Sequence, residues 1–284
     1  MKIYIILLAV LFTSASSIFV RLSIMPPLVL AFYRMVFSTL FLLIPLLLKN
    51  RESLRLYSKG DLALSLASGT ALALHFAAWI SSLSYTSVAA STVLVSLSPV
   101  FVALIGWIMF RQKPGKVFAL CLLGAISGTV LIAFDGGFDE AGGIFGNALA
   151  LGGAFFVGIY LMLGGHIRKR IPTNAYAAVV YGMSAVLLLI IVLVSGQPLW
   201  GYSSGEFLLV AAFALVCSIG GHTLYNMLLK HFSPSTIAVS TLGEPVFATV
   251  LAILILGEFP RLLTIGGGAL ILCALAVYLI RERK

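Results

Sequence analysis

Charged residues are scarce in this sequence, and acidic residues are the scarcest of them. Of the 284 residues, 10% are charged and 61% are hydrophobic, with nine acidic side chains against eighteen lysines and arginines. A soluble domain cannot enclose so much apolar surface, because part of every folded chain must face water. The composition therefore argues against a soluble protein and indicates a membrane protein.

Cysteines and catalytic motifs are also scarce. The cysteines Cys121, Cys217 and Cys273 are isolated, and their spacing fits neither a metal site nor a disulfide framework. The sequence has no HExxH, no GxSxG and no phosphate-binding loop. His75 and His222 lie on separate predicted helices, which argues against a metal site. We therefore expect no cofactor, no metal and no enzymatic activity, although a membrane enzyme or lipid-processing protein without a recognisable motif remains an alternative.

Long apolar stretches, by contrast, fill most of the sequence. A bilayer-spanning helix requires roughly 20 predominantly apolar residues, and ten stretches approach or reach this length. They cover approximately residues 3–19, 28–48, 62–83, 88–110, 117–134, 144–164, 175–195, 207–229, 235–256 and 262–280. Backbone polar groups within lipid must bond internally, which long apolar stretches achieve as helices. The sequence predicts an all-α integral membrane protein with ten transmembrane helices.

The positive charges fall mainly on one side of the predicted helices. With the N-terminus inside, fifteen of the eighteen lysines and arginines lie in cytoplasmic segments, whereas only Arg21 and Arg261 lie outside. This bias follows the rule that cytoplasmic loops are rich in lysine and arginine. It accounts for the net charge of +9 without nucleic acid. We expect both termini to be cytoplasmic, the first helix to be retained, and the protein to reside in a bacterial inner membrane.

Two stretches of the sequence align without a gap at a spacing of 146 residues. LSYTSVAASTVLVSLSPVF begins at Leu83 and LKHFSPSTIAVSTLGEPVF begins at Leu229, which places Pro99 on Pro245. We interpret residues 1–138 and 139–284 as two five-helix repeats. An odd number of helices inverts the second repeat in the membrane, as in many secondary transporters with a substrate site near the midplane.

A family resemblance rests on the end of the sequence. The motif LGEPVFATVLAILILGE, from Leu242 to Glu258, precedes the glycine-rich stretch IGGGALILCALAVYLI. With its two five-helix halves, nearly the whole chain resembles the EamA group of the drug/metabolite transporter superfamily. The first half departs from the motif, because Arg111 and Gln112 stand where the second half has Gly257 and Glu258. The resemblance implies transport of a metabolite or drug by alternating access, and it does not fix the substrate.

Polar side chains within the spans are candidates for the substrate site. In the third span His75, Trp79, Ser82 and Thr86 share one helical face, and in the eighth Ser218, His222, Tyr225 and Asn226 do so approximately. We predict that His75, Trp79, His222, Tyr225 and Asn226 line a central cavity, with Asn147 of the sixth span as a further candidate. The alternative is ordinary hydrogen bonding between helices.

Two charged residues lie deep within predicted spans. Glu244 is near mid-depth, where a charge costs roughly 2.5–3.5 kcal/mol on insertion scales. We expect it either to exchange a proton or a substrate amine during transport, or to brace a kink at Pro245. Pro99 predicts a matching kink in the first half. Arg34 either anchors its helix by reaching the interface or contacts an anionic group of the substrate.

The sequence thus predicts a secondary transporter that exports small organic metabolites, such as amino acids or related compounds. Import of a nucleotide-like metabolite and a channel are alternatives. The pair Gly124 and Gly128 forms a GxxxG motif, which we interpret as helix packing within a monomer rather than as a dimer face.

Overall fold

The computed structural model describes residues 2–85, 88–111, 115–135, 144–257 and 262–281, and all regular structure in these ranges is helical. The helices of the first half are α1 (Lys2–Ser14), α2 (Ser16–Leu22), α3 (Pro27–Lys49), α4 (Lys59–Ser82), α5 (Val88–Val95), α6 (Ser98–Phe110) and α7 (Lys116–Asp135). Those of the second half are α8 (Ile144–Ile167), α9 (Thr173–Ser195), α10 (Ser204–Phe213), α11 (Thr223–Leu228), α12 (Pro234–Thr241), α13 (Glu244–Leu256) and α14 (Leu262–Arg281). A 3₁₀ helix, Arg51–Leu56, follows α3, and a π-helical segment, Ala214–His222, joins α10 to α11.

Seven helical stretches in the described ranges are long and apolar enough to cross a membrane. They are Tyr4–Leu22, Pro27–Lys49, Lys59–Ser82, Ile144–Ile167, Thr173–Ser195, Ser204–Leu228 and Pro234–Ile255. Shorter apolar helices cover Ser98–Ile108, Lys116–Leu131 and Ile265–Tyr278. Several features predicted from the sequence lie outside the described residues, namely Thr86, Gln112, Glu258, Arg261 and the repeat boundary at 138/139.

Several predicted spans are interrupted helices rather than continuous ones. The stretch that contains Pro99 stops at Val95 and restarts at Ser98, and the stretch that contains Pro245 stops at Thr241 and restarts at Glu244. Each proline is therefore the second residue of its new helix, where its missing N–H is not needed. Tighter i→i+3 bonds bridge both breaks, including Leu242 N to Val239 O at 3.2 Å. The helices thus break where the prolines predict kinks.

Helices at corresponding positions of the two halves pack against each other. α3 and α9, which occupy the second and seventh predicted spans, are neighbours, and so are α7 and α14, which occupy the fifth and tenth. The first helix of each half crosses to the other half: α1 packs on the π-helical segment, α11 and α13, whereas α8 packs on α4, α5 and α6. The two halves are therefore interleaved around a shared core.

Glycines allow the closest of these helix contacts. A Cβ atom on Gly128 of α7 would lie 2.5 Å from the Gly267 carbonyl oxygen of α14. A Cβ atom on Gly221 would lie 2.5 Å from Cγ2 of Thr13 in α1. Small residues at such crossings let two helix backbones approach closely within a membrane protein. The Gly124–Gly128 motif accordingly faces α14 of the same chain.

Candidate functional site

A cavity lies at the centre of the interleaved core, with walls from both halves. Its lining comes from α1 to α6 of the first half and from α8, the π-helical segment and α11 to α13 of the second. With its opening, the cavity contains about 800 Å³ of space free of protein atoms. This figure includes open solvent at the mouth of the cavity, so the enclosed part is smaller.

Aromatic rings form much of the cavity wall. The rings of His75 and Trp79 are nearly parallel, with centroids 6.2 Å apart and planes inclined by 6°. His222 meets Phe76 and Tyr225 edge to face, with centroid separations of 5.3 and 6.2 Å. His75 Nδ1 donates to the Gly153 carbonyl oxygen at 2.9 Å, since a carbonyl only accepts, and this bond fixes the ring. The wall thus offers flat faces and ring edges to a solute.

Glu244 lies on the cavity wall at the break between α12 and α13. Its Oε1 accepts hydrogen bonds from Thr13 Oγ1 at 2.8 Å and from the Tyr225 hydroxyl at 3.2 Å. These two donors come from α1 and α11, so one carboxylate oxygen connects three helices. The side chain is half-buried, and Oε2 has no protein partner among the described residues. One oxygen therefore braces the helices while the other is available to the cavity.

Arg34 also lines the cavity, and its side chain is fully enclosed by protein. Its guanidinium carbon lies 4.3 Å from the ring centre of Phe76 and 4.2 Å from that of Phe213. Its Nε donates to Ser218 Oγ at 2.9 Å, whereas Nη1 and Nη2 have no hydrogen-bond partner among the described residues. With an exposed fraction of 0%, Arg34 does not reach a membrane interface.

A hydrogen-bonded network closes the cavity toward the turn between α8 and α9. The Tyr160 hydroxyl, on the cavity wall, donates to Asn226 Oδ1 at 2.6 Å. Arg168 in the turn donates from Nε to the Asn226 carbonyl oxygen at 2.8 Å and from Nη2 to Thr173 Oγ1. Burial lowers the pKa of the Arg168 guanidinium, but its ordinary value is high enough to keep the charge at neutral pH. A fixed positive charge therefore holds this end of the core together.

The structure brings most of the predicted site residues to the cavity. Those that line it are Arg34, His75, Trp79, His222, Tyr225 and Glu244. Asn226 is fully buried behind Tyr160, and Asn147 lies near the start of α8, so neither is among the described lining residues. The π-helical segment explains the position of Asn226, because π-helical turns hold more residues than α-helical turns and shift the faces that a 3.6-residue period predicts.

Sequence reasoning missed several residues of the site, among them Thr13, Phe76 and Tyr160. Thr13 and Tyr160 are polar side chains within apolar helices, and that signal was available in the sequence. Phe76 carries no such signal, because it is one of 19 phenylalanines and nothing in the sequence distinguishes it from the others. Its role beside Arg34 depends on how α3 and α4 pack.

The site occurs in a chain with recognisable relatives. A sequence profile of the EamA-like transporter family matches residues 1–134 and 144–280. An "Uncharacterized transporter" of Archaeoglobus fulgidus is 25% identical, over 98% of this chain and 96% of its own length. The "Uncharacterized transporter YxxF" of Bacillus subtilis is 24% identical, over 91% of this chain and 83% of its own length. The human "Solute carrier family 35 member G1" is 25% identical, over 67% of this chain and 54% of its own length.

A crystal structure with 18% sequence identity has the same fold. The superposition gives a TM-score of 0.80 and covers 99% of this chain and 97% of that chain. The profile match, in two copies, confirms the resemblance drawn from the sequence. The molecule is therefore a multi-pass membrane transporter of a small-molecule substrate, and the family is one of transporters rather than enzymes. This chain belongs to the EamA-like transporter family.

Proposed function

We propose that the protein is a secondary transporter that exports small organic metabolites, such as amino acids or related compounds, by alternating access. The observation that carries this proposal is the central cavity, which both halves line and which is closed toward the α8–α9 turn. A site between two halves can face either side of the membrane in turn when the halves rock against each other.

The proposed architecture is ten transmembrane helices in two inverted repeats, residues 1–138 and 139–284. The pairing of α3 with α9 and of α7 with α14 supports it, because two related halves meet through equivalent elements. The lysine and arginine bias supports cytoplasmic termini. We propose a location in the bacterial inner membrane. We propose that a single chain is the transport unit, since both walls of the cavity belong to one chain.

The cavity lining supports an amphoteric solute with an apolar or flat part. Among the described lining residues, Arg34 is the only lysine or arginine and Glu244 is the only acidic residue. Aromatic rings, including His75, Trp79 and Tyr225, cover much of the remaining wall. Aromatic faces bind flat apolar groups and also attract cations, so they suit a side chain and an ammonium group. An amino acid presents all of these groups.

The position of Glu244 on the cavity wall supports export. We propose that its carboxylate holds either a proton or the ammonium group of a solute, but not both at once. Competition for one carboxylate couples the two species in opposite directions across the membrane. An inward proton gradient then drives the solute outward.

Counterflow in proteoliposomes tests the proposal. Purified protein is reconstituted into vesicles loaded with millimolar unlabelled amino acids, and trace radiolabelled amino acids are added outside. We expect saturable accumulation of label that empty liposomes lack. Flux that fails to saturate and shows no counterflow indicates a channel, and the absence of any amino acid counterflow contradicts the proposed substrate class.

A further inference from the structure

Arg34 is the one fully enclosed cation on the described cavity wall, and its hydrogen-bonding capacity is only partly used. A guanidinium group carries five N–H donors and no acceptor. Nε donates a hydrogen bond to Ser218, whereas Nη1 and Nη2 are buried and have no hydrogen-bond partner among the described residues. Leaving buried donors unpaired is costly, more so for a charged group, so such donors call for an explanation.

The contacts of Arg34 leave one part of its guanidinium without a partner. The guanidinium carbon lies over the rings of Phe76 and Phe213, 4.3 and 4.2 Å from their centroids, and Nε donates to Ser218. Nη1 and Nη2, at the end of the group, have no hydrogen-bond partner among the described residues, and Arg34 belongs to the cavity lining. Two parallel N–H donors at this end match the two oxygens of one carboxylate, the bidentate geometry that makes arginine–carboxylate pairs strong and specific.

Helix packing holds the guanidinium in place before any ligand arrives. Ser218 belongs to the π-helical segment, where its carbonyl oxygen accepts from the Tyr181 hydroxyl at 3.2 Å and from Thr223 Oγ1 at 3.0 Å. The segment is thus secured from α9 and from its own next turn, and it fixes Nε of Arg34. π-helical turns occur frequently at functional sites.

The charge balance of the cavity distinguishes a carboxylate from a phosphate. Arg34 and Glu244 bring one positive and one negative charge to the described lining. A solute with one carboxylate and one ammonium group leaves the net charge of the cavity unchanged. A phosphate dianion adds two negative charges, which only Arg34 can pair and which Glu244 repels. Buried charges are tolerated when they are paired and hydrogen-bonded, which favours the carboxylate.

We propose that Arg34 is the carboxylate-binding residue of the transported solute, through Nη1 and Nη2. This inference rests on the proposed function, because it assigns the cavity to the solute. It also gives the transporter a specificity rule: an organic solute is recognised through a free carboxylate, and its amide or ester binds more weakly.

Thermal unfolding of the purified protein in detergent tests this rule without transport. A ligand that binds only the folded state stabilises the protein by RT ln(1 + [L]/Kd), so at equal concentration a tighter ligand raises the unfolding temperature further. The carboxylate probes are amino acids and phenylacetate, and each is compared with its own amide. Phenyl phosphate is the phosphate probe. We expect carboxylates to stabilise the wild type, and the matched amides to bind roughly tenfold or more weakly, because they lose a charge-assisted contact.

The variants separate charge, geometry and fold. Arg34→Gln removes the positive charge. Arg34→Lys keeps a positive charge but lacks the two parallel N–H donors of a guanidinium. We therefore expect both variants to bind carboxylates roughly tenfold or more weakly. Ser218→Ala releases Nε and keeps the guanidinium, so it should weaken binding less. Arg55→Gln, at an exposed position on the 3₁₀ helix, is the matched control and should bind as the wild type does.

Each result has a defined meaning. Two results with the wild type overturn the inference through ligand choice: amides that stabilise the protein to the same extent as carboxylates, or phenyl phosphate that stabilises it more. Full carboxylate binding by Arg34→Lys also overturns it. So does a wild type that no carboxylate stabilises at millimolar concentration. Carboxylate binding that depends on Arg34, without any counterflow in vesicles, supports the site and contradicts the proposed function. Counterflow of amino amides as well as amino acids supports transport and contradicts the site.

Discussion

At the scale of single residues, the two halves of the protein differ in charge at one pair of positions on the cavity wall. Ser98 of the first half corresponds to Glu244 of the second, and both lie on the cavity wall beside a helix break. Ser98 presents a hydroxyl group where Glu244 presents a carboxylate. Any chemistry that requires a carboxylate at this pair of positions therefore falls to the second half alone.

The Glu244→Gln variant tests whether this carboxylate couples transport to protons. Glutamine keeps the length of the side chain and can still accept from Thr13 and Tyr225, but it cannot exchange a proton. We expect the variant to insert and to perform counterflow at higher solute concentrations, because the ammonium group loses a charged partner, and to lose the acceleration by an imposed pH gradient. The measurement compares uptake into reconstituted vesicles with and without that gradient. Gradient-driven transport that survives the substitution leaves Glu244 with the bracing role only.

Trp79 offers the second test at this scale. Its ring lies on the cavity wall, parallel to that of His75, so Trp79→Ala removes a stacking surface for the solute. We expect binding to weaken by on the order of 1 kcal/mol, which is about fivefold. Titration of the protein with the best carboxylate probe measures this change.

The control for Trp79 is Trp107→Ala in α6, because Trp107 is 54% exposed on the outside of the helical core. Equal losses in both variants point to a general effect on the fold. Unchanged binding in Trp79→Ala shows that its ring serves helix packing instead.

The sequence allowed prediction of some site residues, and physical reasons explain the others. His75 and Trp79 follow a regular α-helical period, so their common face could be predicted. The inward direction of Arg34 could not, because an arginine six residues into a span can turn toward an interface or toward the core. Its burial depends on Phe76 and Phe213, which belong to two other helices.

At the scale of helices, sequence reasoning located the apolar stretches but not their internal geometry. The breaks before Pro99 and Pro245 have a local cause, so they could be predicted. The π-helical segment has no such signal, because the contact of Ser218 with Arg34 comes from a distant part of the chain. The break at Ala15, between α1 and α2, likewise has no proline at that position.

The contact between α7 and α14 gives a prediction at this scale. Gly128→Ala places a Cβ 2.5 Å from the Gly267 carbonyl oxygen, so the helices must separate, and overpacking of this kind costs about 1–3 kcal/mol. We expect a lower unfolding temperature in detergent. Gly266→Ala is the control, because a Cβ there meets nothing within 4 Å. Unchanged stability with a loss of dimers on size-exclusion chromatography contradicts packing within the monomer.

At the scale of the whole molecule, the orientation in the membrane is the main prediction. We expect the 3₁₀ helix Arg51–Leu56 to face the cytoplasm and the start of α10 to face outside, because the basic residues gather on the first side. Glu52 and Ser204 are exposed residues on these two segments, and the test replaces each of them with cysteine. Each is introduced into a background without Cys121, Cys217 and Cys273.

A membrane-impermeant maleimide reports the two positions in intact cells. The Ser204→Cys variant should react directly, whereas the Glu52→Cys variant should react only after permeabilisation. The reverse pattern, or equal reaction of both variants in intact cells, contradicts the proposed orientation.

The interleaving of the halves has a consequence for biosynthesis. When the ribosome has completed α7, the partners of α1 do not yet exist, since they are the π-helical segment, α11 and α13. In the folded chain Thr13 contacts Gly221 and donates to Glu244. Until those residues are synthesised, Thr13 faces lipid or an insertion factor. A chain that ends early, after α7, therefore leaves the packing face of α1 without its partners.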